Sequence, residues 1–336
     1  MAEAEAFPLP LDTAPMEARL AQEIPVDGAA WQYEPKWDGF RCLAFKSGDA
    51  VDIRGKSGKP LGRYFPEIVG HLRSLPASRF VIDGEIVIEL SGGYSFEALQ
   101  MRLHPAASRI RKLSAETPAK LILFDMLADT TGGDLRERPL STRRDVLERF
   151  AKSLNSKDIE LSPVTLDAEE AGRWLTARNT GRTDGIVAKR RDGQYLSGVR
   201  EMVKVKLLRS ADCVVGGFRY LGSKKEVGSL LLGLYDDDGK LDHVGFTSTI
   251  RNEDRAALTR RLEKLRQAPG FTGNAPGGPS RWSTERSAAW EPLKPTLVVE
   301  VRFDHVTGRR FRHGTRLLRW RPDKAPHQCT FEQLGL

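Results

Sequence analysis

Short apolar stretches alternate with turn-forming residues near the start of the chain. The stretches WQYEPK (31–36), FRCLAFK (40–46) and VDI (51–53) are separated by Asp38-Gly39 and by the polar run SGD (47–49). Apolar residues bounded by glycine and aspartate in this way are typical of β-strands joined by tight turns. The pattern therefore predicts an antiparallel hairpin over residues 31–56.

Strand and helix patterns both continue through the first two thirds of the chain. Residues 141–153 and 167–178 have helical periodicity, and four further runs are strand-like: FVIDGEIVIEL (80–90), KLILFDML (120–127), DGIVAKR (184–190) and MVKVKLL (202–208). The two kinds of element do not alternate regularly, as they would in a doubly wound parallel sheet. We therefore predict an α+β domain here.

The composition changes after about residue 208. The runs ADCVVGGFRY (211–220) and TLVVEVRF (296–303) and the segment between them contain short strands joined by Gly and Asp turns, with one helical pattern near 252–267. This composition predicts a small β-barrel. A chain of 336 residues also exceeds the size at which a single hydrophobic core usually keeps growing. We predict two domains, 1–208 and 209–336.

Positive charge is concentrated in the predicted second domain. Residues 209–336 contain 22 lysine and arginine residues against 15 aspartate and glutamate residues, whereas residues 1–208 contain 31 against 30. Basic surfaces bind polyanions because counterions are released from the phosphates. The asymmetry indicates a nucleic-acid partner, although a generally solvated basic surface would have the same composition.

Other features of the sequence narrow the class of protein. Cys42, Cys213 and Cys329 are far apart and form no C-x-x-C pair, so we expect them to pack in the interior. No apolar run approaches the ~20 residues that span a bilayer, and the N-terminus lacks the pattern of a secretory signal. We expect a soluble, cytoplasmic protein, and a monomer, because no heptad pattern or long apolar edge indicates self-association.

A possible nucleophile lies at the end of the first strand. In Glu34-Pro35-Lys36-Trp37-Asp38-Gly39-Phe40-Arg41, a lysine precedes a tight Asp-Gly turn. A lysine attacks phosphorus only as the neutral amine, which partial burial or nearby cations favour. The glycine would allow a nucleotide to approach the backbone closely. A surface hairpin could carry the same short string by chance.

Six further short motifs follow in a fixed order: GKSGK (55–59), DGE (83–85), FD (124–125), DGIVAK (184–189), KVK (204–206) and RPDK (321–324). Together with the first, they resemble the motifs of the covalent nucleotidyltransferases, which are ATP-dependent DNA ligases, RNA ligases and mRNA capping enzymes. The first motif of that superfamily is K-x-D-G-x-R. The set is most similar to the small, two-domain C-type DNA ligases of bacteria, and the resemblance covers about residues 25–330.

The resemblance implies a fold and a nucleotide site. The fold would be an antiparallel-sheet adenylation domain followed by a small OB-fold domain. Lys36 would be the adenylated nucleophile, and Phe124 would stack on adenine. The implied ATP and AMP ligands are Glu34, Arg41, Glu85, Phe124, Arg200, Lys204 and Lys206. Lys204 and Lys206 alternate on a strand, so both ammonium groups would face the phosphates.

Two motifs depart from the family pattern. Lys56 stands where an arginine is usual in the motif that contacts the DNA 5′-phosphate, and it keeps the charge without the bidentate fork. Asp184 stands where a glutamate is usual, and its side chain is one methylene shorter. Carboxylates and phosphate oxygens are the ligands that Mg²⁺ prefers, so Glu85 and Asp184 are the candidate ligands for Mg²⁺ or Mn²⁺.

The resemblance also implies a reaction in three steps. Lys36 attacks ATP and releases pyrophosphate, AMP passes to the 5′-phosphate of a nick in duplex DNA, and the 3′-hydroxyl then displaces AMP. Arg321, Asp323 and Lys324 of the second domain would orient the leaving pyrophosphate, which requires domain motion. The implied roles are DNA repair and recombination, with repair proteins as partners of unknown identity.

Other functions share part of this pattern. A capping guanylyltransferase would bind GTP, but Tyr64-Phe65-Pro66-Glu67 is typical of ligases. An RNA ligase often lacks the OB domain with R-x-D-K. An NAD-dependent ligase would carry a cysteine quartet for zinc. A non-catalytic OB-fold protein that binds nucleic acid would not need to retain Lys36.

Overall fold

The computed structural model describes residues 6–154, 156–176, 183–206, 208–222, 225–277 and 289–335. Two compact units divide the chain, Met1–Leu207 and Leu208–Leu336. Among the described residues, no helix is long and apolar enough to cross a membrane.

The first unit contains two β-sheets. Its strands are β1 (Ala18–Ala21), β2 (Trp31–Trp37), β3 (Phe40–Ser47), β4 (Ala50–Gly55), β5 (Arg79–Leu90), β6 (Gly93–Tyr94), β7 (Ala119–Ala128), β8 (Ile159–Leu161), β9 (Thr183–Arg190) and β10 (Met202–Val205). One sheet has the order β4-β3-β5-β7-β8, with β6 paired to β5, and the other has the order β1-β10-β9-β2. Only β7–β8 and β1–β10 are parallel pairs among these strands, which confirms the α+β prediction for this part.

The larger sheet is buried on both faces. On β5, Phe80 and Ile82 belong to one apolar cluster, and Val81 between them belongs to another on the opposite face. Successive side chains of a strand point to opposite faces, so a doubly covered strand is apolar almost throughout. This explains the near-continuous apolar run at 80–90.

Among the described residues of the first unit, five α-helices pack around these sheets: α1 (Pro66–Ser74), α2 (Phe96–Arg102), α3 (Ala107–Glu116), α4 (Leu140–Ser153) and α5 (Ala168–Thr176). The structure confirms the helices predicted at 141–153 and 167–176, and residues 177–178 of the second prediction lie outside the described residues. The first three helices were not predicted. They are short, and α3 buries only Ile110 fully, so no long apolar stripe indicates it in the sequence.

The hairpin predicted over residues 31–56 is only partly right. β3 and β4 pair as an antiparallel hairpin, but β2 pairs with β9 in the other sheet. The chain passes from one sheet to the other at Asp38 and Gly39. A Cβ on Gly39 would lie 2.3 Å from the carbonyl oxygen of Ile86, so this crossing requires glycine.

The second unit is predominantly β-structure. Its elements are β11 (Arg209–Tyr220), β12 (Val227–Tyr235), β13 (Leu241–Thr247), α6 (Asn252–Glu263), β14 (Glu291–Pro292), β15 (Val298–Phe303), β16 (Val306–Thr307), β17 (Arg310–Phe311) and β18 (Arg316–Trp320). The main sheet has the order β13-β12-β11-β15-β18, and a bridge between Thr247 and Thr315 connects its two ends. This closure confirms the predicted small barrel, and α6 confirms the predicted helix, although it ends four residues earlier.

Candidate active site

A cleft in the first unit brings together most of the predicted site residues. Its walls come from both sheets of this unit. The predicted residues that line the cleft are Glu34, Lys36, Arg41, Lys56, Glu85, Phe124 and Lys204. Two lining residues, Glu17 and Lys189, were not among the predicted ligands.

Lys36 lies where the pairing of β2 with β9 is irregular. The register shifts between Pro35 and Trp37, so the lysine leaves the regular alternation of the strand. Its Nζ lies 2.8 Å from one carboxylate oxygen of Asp184, and Nζ of Lys206 lies 2.9 Å from the other. Burial alone raises the pKa of Asp184, but the two ammonium groups outweigh it and hold this pKa below its usual value.

Lys204 adds a third positive charge near this pair. It lies on β10 and lines the cleft, whereas Lys206 follows the end of the strand. The pKa of Lys204 is lowered, first by burial and then by the neighbouring cations Lys206, Lys36 and Lys56. Three neighbouring ammonium groups therefore oppose the positive charge of Lys204, and this favours the binding of an anion such as a phosphate in the cleft.

A buried ion pair forms another wall of the cleft. Nζ of Lys189 donates a hydrogen bond of 2.9 Å to Oε2 of Glu34 and lies 2.8 Å from Oε1, and Gln32 donates to Oε1 at 2.8 Å. Lys189 also lies 4.7 Å from the ring centroid of Phe124. Glu34 is thus held by two donors from its own sheet, and the structure positions it beside the aromatic ring.

Arg41 makes its strongest contact inside the protein. Its guanidinium donates two hydrogen bonds of 2.6 Å to Asp83 and one of 3.2 Å to the carbonyl of Met16. Tyr195 also donates to Asp83, at 2.6 Å. The Arg41 guanidinium lies 4.7 Å from the ring centroid of Phe124, so two cations flank this aromatic side chain, which is only 7% exposed.

Glu85 is the carboxylate of the cleft with the most perturbed acidity. It lies opposite Arg41 on the neighbouring strand. Burial raises its pKa to about 7, although Lys36 and Arg41 act in the opposite direction. A buried carboxylate whose negative charge is not neutralised by its surroundings is a candidate ligand for a cation.

The two predicted metal ligands have different surroundings. Both oxygens of Asp184 contact lysine ammonium groups, whereas Glu85 faces the cleft. Among the described residues, no group of three or more His, Cys, Asp or Glu side chains could hold a metal ion. Mg²⁺ is commonly held by one or two carboxylates together with phosphate oxygens and water, so Glu85 fits the ion better than Asp184 does here.

Lys56 and Arg200 share a carboxylate that sequence reasoning missed. Glu17 lies 3.3 Å from Nζ of Lys56 and 3.4 Å from Nε of Arg200. Both cations are mostly exposed, and Lys56 keeps the pKa of Glu17 below its usual value, with a further contribution from Arg200. The structure therefore brings the predicted 5′-phosphate ligand and Arg200 together at the edge of the cleft.

The predicted residues of the second unit form a separate cluster. Nη1 of Arg321 donates to both oxygens of Asp212, at 2.8 and 3.0 Å, and Nζ of Lys324 lies 3.2 Å from the same carboxylate. Arg321 also binds Asp323 at 2.8 Å, which lowers the pKa of Asp323 to about 2. Arg321, Asp323 and Lys324 are thus adjacent, and Asp212 was not predicted.

Two family models match the two parts of the chain. Residues 15–206 match the ATP dependent DNA ligase domain, and residues 223–324 match the ATP dependent DNA ligase C terminal region. The chain belongs to the ATP-dependent DNA ligases. The first match contains every predicted site residue of the cleft, and the second contains Arg321, Asp323 and Lys324.

Similar proteins cover almost the whole ligase. DNA ligase C1 of Mycolicibacterium smegmatis is 43% identical over 95% of this chain and 93% of its own length. DNA ligase C of Mycobacterium tuberculosis is 40% identical over 98% of this chain and 95% of its own. The structure of mycobacterial DNA ligase D with ATP and MES is 27% identical, with a TM-score of 0.51, and the match covers 95% and 98% of the two chains.

These similarities confirm the predicted fold class and the predicted family. An α+β adenylation domain followed by an OB-fold domain is the architecture of the solved ligases that this ligase resembles. The resemblance to small C-type ligases is likewise confirmed by relatives of similar length.

Proposed function

We propose that this ligase seals 3′-hydroxyl/5′-phosphate nicks in duplex DNA through AMP bound covalently to Lys36. The observation that carries the proposal is the cluster of Lys36, Lys204 and Lys206 around Asp184, within a cleft that also contains Glu34 and Phe124. Asp184 holds the Lys36 nitrogen at a defined position, and the other lysines supply charge for phosphates. Positioning and electrostatics of this kind account for most of the catalysis in phosphoryl transfer.

The first step forms a bond between Nζ of Lys36 and the α-phosphorus of ATP and breaks the bond to pyrophosphate. The amine must lose its proton before it attacks. Lys204 and Lys206 would neutralise the charge that develops on the phosphate oxygens. They lie close to Lys36, as the ion pairs to Asp184 and the lowered pKa of Lys204 indicate.

The adenosine would lie beside Glu34 and Phe124. Lys189 fixes the carboxylate of Glu34 through a hydrogen bond and an ion pair, so this group is oriented before the nucleotide binds. The Phe124 ring would stack on adenine. Arg41, which Asp83 holds, also lies near this ring, with its guanidinium 4.7 Å from the ring centroid.

We propose that Glu85 also helps to hold Mg²⁺ or Mn²⁺ beside the ATP phosphates. The raised pKa of Glu85 supports this role, because a bound cation would restore the ionised form of its carboxyl group. The metal ion, when bound, polarises the phosphoryl oxygens as a Lewis acid. Asp184 could join Glu85 only after it has released one of its two lysines.

The DNA would approach the edge of the cleft at Lys56 and Arg200. Both are exposed, which suits residues that bind the phosphate of a large substrate. Arg321, Asp323 and Lys324 would act only in the first step, on pyrophosphate, and the basic second unit would contact the DNA backbone in the later steps. A role in DNA repair, with repair proteins as partners, a cytoplasmic location and a monomeric state stay predictions.

The test is covalent labelling with α-³²P-ATP or α-³²P-GTP, Mg²⁺ and the purified ligase, followed by denaturing electrophoresis. We expect label from ATP alone, lost in Lys36→Ala and kept in Lys112→Ala, which changes an exposed lysine on α3. Label from GTP would indicate a capping enzyme. Label that survives in Lys36→Ala would contradict the assignment of the nucleophile.

A further inference from the structure

The carboxylate of Asp212 links the two cations that we assign to pyrophosphate. Arg321 and Lys324 both contact it, at 2.8 to 3.2 Å, and both belong to a turn in which the Lys324 N–H donates to the Arg321 carbonyl. No other carboxylate contacts both cations among the described residues of the second unit. Asp212 lies on β11, more than a hundred positions earlier in the chain.

Asp212 is itself held firmly. Its backbone N–H donates to Oε1 of Gln333 at 2.9 Å, and its carbonyl accepts a hydrogen bond of 3.1 Å from Nε2 of the same glutamine. The residue is 8% exposed and belongs to a regular strand that is paired with β15. Its carboxylate is therefore a fixed anchor, whereas Asp323, the other partner of Arg321, is mostly exposed.

Fixing both cations has a consequence for binding. Arginine and lysine have many rotamers, and ordering them costs free energy each time they bind a ligand. A carboxylate that contacts both holds the guanidinium and the ammonium group next to each other in advance. Two adjacent cations suit the two neighbouring phosphates of pyrophosphate.

We propose that Asp212 is a positioning residue for the adenylation step, which holds Arg321 and Lys324 in the arrangement that binds the leaving pyrophosphate. The proposal rests on the function proposed above for these two residues. It assigns Asp212 no contact with DNA or AMP. Its replacement should therefore slow the step that releases pyrophosphate and leave the final sealing step unchanged.

The test separates these steps with Asp212→Asn, which keeps the size of the side chain and removes its charge. Single-turnover formation of enzyme-AMP from labelled ATP should slow by about tenfold to a hundredfold, the usual effect of losing hydrogen bonds to a charged group. Sealing of a nick that already carries AMP on its 5′ end, without ATP, should stay within about twofold of the wild-type rate. Normal sealing also shows that the variant is folded.

Glu291→Gln is the matched control. Glu291 lies on β14, which also pairs with β11, and it binds Arg266, which is outside the pyrophosphate cluster. We expect this variant to form enzyme-AMP at nearly the wild-type rate. A second readout is the concentration of inorganic pyrophosphate that discharges half of the labelled enzyme, which should rise in Asp212→Asn and stay unchanged in Glu291→Gln.

Two comparisons separate failure of this proposal from failure of the proposed function. Normal adenylation by Arg321→Ala would refute the role of the cation itself. If Arg321→Ala slows adenylation but Asp212→Asn does not, the positioning role alone is overturned. It is also overturned if Asp212→Asn slows adenylation and nick sealing to the same extent. If the proposal is right, the losses of the two single variants are less than additive in the double variant, because part of the effect of Asp212→Asn acts through Arg321.

Discussion

Glu85→Gln should stabilise the first unit at the expense of activity. The pKa of Glu85 is raised from its ordinary value of 4.5 to about 7, chiefly by burial. At a pH between these two pKa values, Glu85 is protonated in the folded protein and ionised in the unfolded chain. Stability therefore falls as the pH rises from about 4.5 through 7. Glutamine has a similar size and no charge, so the variant does not lose this stability as the pH rises.

The size of the effect follows from the two pKa values. A difference of about 2.5 between them corresponds to about 3 kcal/mol when titration is complete, and part of this is already lost at pH 5. Because Glu85 is partly exposed to the cleft, we expect the variant to gain about 2 kcal/mol over the wild type between pH 5 and pH 8.

The measurement is urea unfolding in the presence of EDTA at pH 5 and pH 8. Hydrogen exchange of peptides from β5 and β7 would report the first unit separately from the second. Glu23→Gln, on an exposed residue of the same unit, should show no such difference between the two pH values. The reasoning is refuted if Glu85→Gln gains no stability at pH 8, and adenylation at a normal rate would refute its proposed role with the metal ion.

Three other substitutions test the packing and the charges around the site. Arg143→Leu leaves the fully buried Asp125 without its partner, which lies 2.8 Å away, and should cost about 3–5 kcal/mol in urea unfolding. Gly39→Ala puts a Cβ against the Ile86 carbonyl and should lower both the soluble yield and the melting temperature, because strand backbone cannot give way easily. Glu17→Gln removes the acid that holds two exposed cations, and it should tighten binding to nicked DNA several-fold in a fluorescence titration, more at low salt than at high salt.

The substitutions of Arg143 and Gly39 each have a control variant. Lys112→Ala breaks an exposed ion pair with Glu116 and should change the unfolding free energy by less than about 1 kcal/mol. Gly70→Ala places a Cβ where no atom lies within 4 Å and should be tolerated. If Glu17→Gln instead weakened DNA binding, the Glu17 carboxylate of the wild type would position Lys56 and Arg200 rather than compete with the DNA phosphate.

The sequence identifies the cations of the site more completely than the carboxylates that hold them. Three carboxylates each contact two predicted cations: Asp184 contacts Lys36 and Lys206, Glu17 contacts Lys56 and Arg200, and Asp212 contacts Arg321 and Lys324. All six cations lie in or beside recognisable motifs. Glu17 and Asp212 do not, and each lies far along the chain from at least one partner, so only the folded sheets bring them together.

The fold, too, depends partly on local sequence patterns and partly on contacts between residues that are far apart in the chain. Strands such as β5 and β7 were predictable because double burial leaves long apolar runs. The separation of β2 from β3 was not, because the Asp38-Gly39 pair also fits a tight hairpin turn. What distinguishes the two is the pairing of β2 with β9, about 150 residues later, which the local pattern does not contain.

The central claim is that AMP on Lys36 passes to the 5′ end of a nick. The most direct test is a pulse–chase in which the ligase is labelled with α-³²P-ATP, freed of nucleotide and mixed with nicked duplex DNA and Mg²⁺. We predict that label leaves the protein, appears briefly on the DNA 5′ end and is released as AMP while the nick is sealed. Label that stays on the protein, or nicks that are sealed without passing through adenylated DNA, would contradict it.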